Sequence, residues 1–224
     1  MIPMRILGPM RMLGTPVLIA GLLSGCAEIG GAFDGATAGA GGKALSRVAP
    51  RQIVAAGTDV TIVGPRGFCV DPTASAAQAA GSFVLMGNCA AISRSPDAPQ
   101  PRVPARLTAS ISGPEEGPAV ALMLDELRTF IASEDGRAAL SQSGRASDVA
   151  VRQSFTRDGV FYVRIADRTL KSDQWRAFFD VRARMISLTV SGSDEMPLDG
   201  RAGLRLMQDF VKRVQRANRD ARRA

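Results

Sequence analysis

With 224 residues, 46% of them hydrophobic and 22% charged, the chain has the composition of an ordinary globular protein large enough for one real core. It contains no histidine, which excludes Ser-His and Cys-His catalytic pairs and removes the commonest zinc and copper ligand. The formal net charge of +7 is carried almost entirely by arginine, and the basic residues are dispersed except near the C-terminus, so the balance alone does not point to nucleic acid.

Residues 1–25 have the anatomy of a secretory signal. Arg5 and Arg11 give a positive start, and Met12 to Leu23 form an apolar run shorter than the roughly 20 residues a spanning helix needs. Small residues then precede a cysteine in Leu23-Ser24-Gly25-Cys26. This segment resembles the lipobox of bacterial lipoproteins. The resemblance implies cleavage before Cys26, a diacylglyceryl group on its thiol and palmitate-type acylation of the new amino terminus. Each buried methylene contributes about 0.8 kcal/mol, so several acyl chains would hold the protein on a membrane. Ala27, not Asp, follows the cysteine; by the same resemblance this favours the outer membrane over the inner one, with the domain facing the periplasm.

Residues 26–50 are rich in Gly and Ala and poor in large apolar side chains, so they read as a tether. Gly42-Lys43 is followed by Ala44, which does not complete a phosphate-binding loop. Residues 51–218 are expected to form a single α+β domain, an antiparallel sheet packed against helices, with a basic tail over 219–224.

Within that domain Ile53-Val54 and Val60–Val63 read as short strands around a turn. The two glycines and two prolines of Gly64–Pro72 predict a shaped loop without regular structure. Thr73–Ala80 is expected to be a short helix and Ser82–Met86 a strand. Cys69 and Cys89 are the two cysteines left once Cys26 is lipidated, and an even pair in an oxidising compartment predicts a disulfide. Closing that loop stabilises by about 3 kcal/mol in the chain-entropy picture.

Arg94–Pro104, with four prolines, predicts an exposed loop, and Arg106–Ser112 alternates as a half-buried strand does. The helical spacing of Val120, Met123, Leu124, Leu127 and Ile131 predicts one helix over Ala119–Ala132, with Asp125 and Glu126 on its solvated side. Ser133-Glu134-Asp135 starts a second helix reaching about Gln142. Asp158-Gly159 between apolar runs predicts a hairpin. Val149–Phe155, Val160–Ile165, Trp175–Val181 and Ile186–Val190 should form a meander. Asp199–Asn218 closes the chain as a helix whose buried stripe is Leu204, Met207, Val211 and Val214, and whose far end is cationic.

This order resembles the Mog1/PsbP-like α/β sandwich. The residues carrying it are Gly67-Phe68 after a strand, the helix around Leu124 and the last strand leading into Leu204–Val214. The Gly-Phe-Cys-Val-Asp-Pro segment is also similar to lipoproteins of alphaproteobacteria. The sandwich family implies a non-enzymatic binding or accessory module. The resulting expectation is a non-catalytic lipoprotein without cofactor or metal, whose partners are the membrane and an envelope protein or peptidoglycan, not nucleic acid. The alternative is a histidine-free enzyme, such as a glycan hydrolase using two carboxylates across a cleft.

Overall fold

The computed structural model describes residues 49–78, 81–113, 119–170 and 172–220, all within one compact unit, Lys43–Ala224. The signal, Cys26 and nearly all of the tether lie outside the described residues.

The domain is α+β. Strands β1 (Gln52–Val54) and β2 (Thr61–Val63) form a small hairpin. Next come β3 (Phe68–Val70), β4 (Ala76–Gln78), β5 (Gly81–Asn88), helix α1 (Cys89–Ser93) and β6 (Arg106–Ser112). Helices α2 (Leu124–Ala132) and α3 (Glu134–Leu140) lead into β7 (Val149–Arg157), β8 (Val160–Asp167), β9 (Ser172–Val181) and β10 (Arg184–Ser191). Helix α4 (Gly200–Asp220) ends the described chain. The large antiparallel sheet runs β3-β5-β6-β10-β9-β8-β7, and β4 pairs with β5 off this path. The meander β7 to β10 forms as its alternation implies, and β10 returns to pair with β6 from Ile186↔Ile111 to Ser191↔Arg106.

Side-chain alternation assigns the two faces of this sheet. Leu107, Ala109 and Ile111 of β6, Trp175, Ala177 and Phe179 of β9, and Ile186, Leu188 and Val190 of β10 are buried on one face. They meet Met207, Phe210, Val211 and Val214 of α4, each at most 2% exposed. Leu204 packs against the same core partly buried. On the opposite face Phe161, Val163, Ile165 and Phe178 form a second core with Ile131 of α2 and Leu140 of α3. The sheet is thus covered on both faces at β8 and β9, which explains why β8 is buried almost throughout instead of alternating. Beyond α2 and α3, the same face carries half-buried or exposed Thr108, Ser110, Ser187 and Thr189.

Several local expectations need correction. Phe68–Val70 lies inside the segment expected to be a loop, yet it is a fully buried strand, because β5 offers it hydrogen-bonding partners from Met86 to Asn88. Residues 73–80 do not begin a helix: Asp71 Oδ1 accepts from the Thr73 backbone and hydroxyl, forming a turn, and Ala76–Gln78 then pairs with β5. Ala119–Ala132 is not one helix. A single tight turn over Val120–Leu122 stops at Met123, whose φ of −115° is non-helical, and α2 starts afterwards. Met123, expected on the buried face, is 37% exposed as a result. The closing helix extends to Asp220, so Arg219 belongs to it instead of to a tail.

Candidate functional site

Two regions of the domain concentrate unusual chemistry. The first is the corner around Cys69 and Cys89. Cys69 sits in β3 opposite Gly87 of β5, and Cys89 opens α1 directly after β5. Asn88 caps that helix by accepting from the Ala90 N–H, and the Cys89 N–H donates to the Gly67 carbonyl at 2.9 Å. These two anchors hold the cysteine Cα atoms 4.8 Å apart, and the sulfurs are bonded as a disulfide. Both cysteines are buried, with Ala49, Ile92 and Ala98 around them. The bridge is therefore a clamp under the start of the domain, shielded from solvent thiols. Gly67 is required there: its φ is +89°, and a Cβ would run into the backbone of Gln100 and Pro101. Beside the clamp lies a hollow of about 700 Å³ whose one carboxylate is Asp71.

The second region is the outer face of α4. Asp199 caps its start, accepting from the N–H groups of Arg201 and Ala202. Trp175 fixes the same end by donating Nε1–H to the Gly200 carbonyl at 2.9 Å. With the apolar stripe turned inward, the exposed residues of α4, among those whose side chains are described, are Arg201, Arg205, Lys212, Arg216 and Arg219. Every one is a cation. At 3.6 residues per turn they fall within an arc of about 60°. Asp209 flanks the row, but its carboxylate is held by Arg213 Nε at 3.0 Å to each oxygen. Among the described residues none of the five forms a salt bridge.

Two hollows open along this row. One, of about 540 Å³, lies between α4 and two loops, with Arg66, Arg102 and Arg205 at its rim and Phe68, Val103 and Leu206 as apolar lining. Arg66 and Arg102 are themselves exposed. The other, of about 290 Å³, gathers Lys212, Arg213 and Arg216 beside Gln52 and Val63. Among the described residues Asp209 is the single carboxylate lining each.

Acid chemistry across the domain runs in one direction. Every described carboxyl with a shifted pKa is shifted down. The Arg182 guanidinium holds Asp59 low, the Thr73 hydroxyl Asp71, the Ser143 hydroxyl Asp148, and the Ala202 N–H Asp199. Burial pushes Asp167 up, but hydrogen bonds from Thr169 and the Gln142 N–H outweigh it and leave it low. A glycosidase acid requires the opposite, a carboxyl kept protonated near neutral pH, and a second carboxyl facing it. Among the described residues, each of these three hollows has one carboxylate in its lining. Asp125 is exposed and tied to Arg128 at 3.1 Å on α2, on the solvated side as expected. Among the described residues no three His, Cys, Asp or Glu side chains gather as metal ligands. No described helix is long and apolar enough to cross a membrane.

Sequence reading identified the cysteine pair and the cationic end of α4. It missed Arg201 and Arg205 as members of the same row, although their spacing at 201, 205, 212, 216 and 219 is visible in the sequence. It had no means of finding Arg66 and Arg102, which reach the row from loops far away in the chain. No protein family, curated protein or solved structure matches this chain.

Proposed function

We propose that the protein is a cell-envelope lipoprotein, anchored through Cys26 and exposed to the periplasm, that works as a non-catalytic binding or accessory module. The observation that carries the proposal is the segment Leu23-Ser24-Gly25-Cys26 after a basic and apolar start. Two features of the domain support it. The bridged Cys69–Cys89 pair suits an oxidising compartment. Among the described residues, each hollow has at least one basic side chain and a single carboxylate in its lining, where a histidine-free hydrolase needs two opposed ones. The α+β fold, with helices on both faces of an antiparallel sheet, is compatible with the sandwich resemblance. Its partner is then an envelope protein, peptidoglycan or the membrane itself.

Radiolabelled palmitate tests the anchor. Wild-type protein incorporates label and migrates with the membrane fraction, whereas Cys26→Ala does neither. Equal labelling of both, or an intact mass showing the N-terminus unprocessed, overturns the reading.

A further inference from the structure

We infer that the outer face of α4, together with Arg66 and Arg102, is a docking surface for anionic phospholipid headgroups. The inference rests on the lipoprotein reading for which surface lies nearby, and on the geometry of the domain for everything else.

Charge is the first argument. The exposed residues of α4, among those whose side chains are described, are all cations, lie along one line of a helix about 30 Å long, and form no salt bridge among the described residues, the capping Asp199 attracting Arg201 and Arg205 only at longer range. A stripe that merely kept a helix soluble would alternate its signs, since i,i+4 pairs between opposite charges stabilise a helix and like charges at that spacing oppose it. Arg201 and Arg205, and Lys212 and Arg216, are like-charged pairs at that spacing. The fold tolerates this repulsion along its longest helix, and an anionic surface relieves it. Of the described acids beside the row, Asp209 is paired with Arg213 and Asp199 is taken up by the N–H groups of the helix start.

Shape is the second argument. The larger hollow joins a rim of three arginines to an apolar lining of Phe68, Val103 and Leu206. That combination matches the headgroup boundary of a bilayer, where phosphate lies above glycerol and acyl carbon. Arginine suits phosphate because its planar fork donates two parallel hydrogen bonds.

Position is the third. Gln52, three residues into the described domain, lines the smaller hollow with Lys212, Arg213 and Arg216. The described chain starts on the disulfide at Ala49 and reaches the cationic row at Gln52, three residues later. A lipid on Cys26 and phosphate under α4 would act as two linked contacts with one membrane, the arrangement in which a single weak contact becomes a stable one.

Full-length protein carrying Cys26→Ser has no acyl chain and is mixed with vesicles of phosphatidylglycerol or of phosphatidylcholine, then sedimented. The readout is the ratio of partition between the two, compared with that of the row variant below, because Arg5 and Arg11 of the N-terminal segment favour the anionic vesicle equally in both. The ratio is well above one at low salt and falls towards one at high salt. Each cation near an anionic bilayer is worth about fivefold in partition, so Arg205→Gln, Lys212→Gln and Arg216→Gln together lower the phosphatidylglycerol partition by about a hundredfold. All three side chains are exposed, and an unchanged thermal melt confirms that the variant is folded. Equal partition to both vesicles, or a triple variant that behaves as wild type, overturns the proposal. So does capture by soluble polyglutamate without any gain on phosphatidylglycerol, which assigns the row to an acidic protein. Because Cys26 is absent throughout, failure here is distinct from failure of palmitate labelling.

Discussion

The side chain of Asn218 satisfies both backbone groups of Thr61, 157 positions earlier. Its Oδ1 accepts the Thr61 N–H at 2.9 Å, and its Nδ2 donates to the Thr61 carbonyl at 2.8 Å and to the Val214 carbonyl at 2.7 Å. Asn218 is 4% exposed, so this amide acts as a one-residue strand, docking the end of α4 onto β2. Asn218→Ala leaves buried groups without partners, each costing about 1–3 kcal/mol. The expected result is a urea midpoint lowered by an amount matching at least 2 kcal/mol. Asn218→Asp retains the acceptor but sets a carboxylate against two carbonyls, and is expected to be no better than alanine.

The β9–β10 hairpin holds a reserve of strain that a single substitution releases. Arg182 and Ala183, at its turn, have φ of +52° and +56°. Left-handed backbone costs an L-residue roughly 1–2 kcal/mol, and glycine escapes most of that. Arg182 is retained by its ion pair with Asp59 at 2.7 Å, which also ties the β1–β2 turn to this hairpin. Ala183 is exposed and has no such role. Ala183→Gly is therefore expected to stabilise by about 1 kcal/mol, read as a higher melting temperature. An unchanged or lower melting temperature contradicts this account of the turn.

Two of the three meander hairpins show what was legible in the sequence. Asp158 and Gly159 turn with φ of +52° and +71°, the conformation for which Asp-Gly is the usual signal, and that hairpin was readable from two letters. Arg182-Ala183 adopts the same backbone signs with residues that do not announce them. The turn is held there by the pairing of β9 with β10 and by Asp59, both long-range. Length decided other cases. The three- and four-spaced apolar stripe of α4 and the alternation of β6 persist long enough to show a period. Phe68–Val70 and Ala76–Gln78 are three residues each, too short for any period, and exist because β5 has a free edge. The break at Met123 is equally tertiary: Val120 is drawn into the second core while Leu122 stays 77% exposed. For the site, the cysteine pair was legible by counting. The cationic rim was half legible, because Arg66 and Arg102 belong to it only through the fold.

The Cys69–Cys89 bridge closes 20 positions of chain between β3 and α1. Its loss restores loop freedom to the unfolded state, worth about 3 kcal/mol. Cys69→Ala with Cys89→Ala also leaves Ala49, Ile92 and Ala98 around a small void, so the measured loss should equal or exceed that figure. Denaturant titration of the oxidised and reduced wild type separates the two contributions. Reduction removes the bridge but retains the sulfur volume, and is expected to cost less than the double substitution.

Asp167 gives the domain an acid limb of predictable sign. It is 2% exposed, and burial alone would favour its neutral form. The Thr169 hydroxyl at 2.5 Å, the Thr169 N–H at 2.8 Å and the Gln142 N–H at 3.1 Å all donate to its carboxylate and bring the net pKa below 3.8. A carboxyl with a depressed folded pKa contributes stability that is fully present above its unfolded value. That stability is lost as pH falls from there through the folded pKa. The contribution should therefore be constant near neutral pH and disappear below about pH 3.8. Asp167→Asn tests this through urea midpoints across the acid range. The variant should be less stable than wild type at neutral pH, and the difference should shrink as acid protonates Asp167 in the wild type. Thr169→Val removes one donor and should raise the folded pKa of Asp167 towards its unfolded value, seen as a smaller acid-linked loss that is complete at higher pH. A wild-type-to-Asn difference that stays constant from neutral pH to the bottom of the range would show that Asp167 contributes shape and not charge.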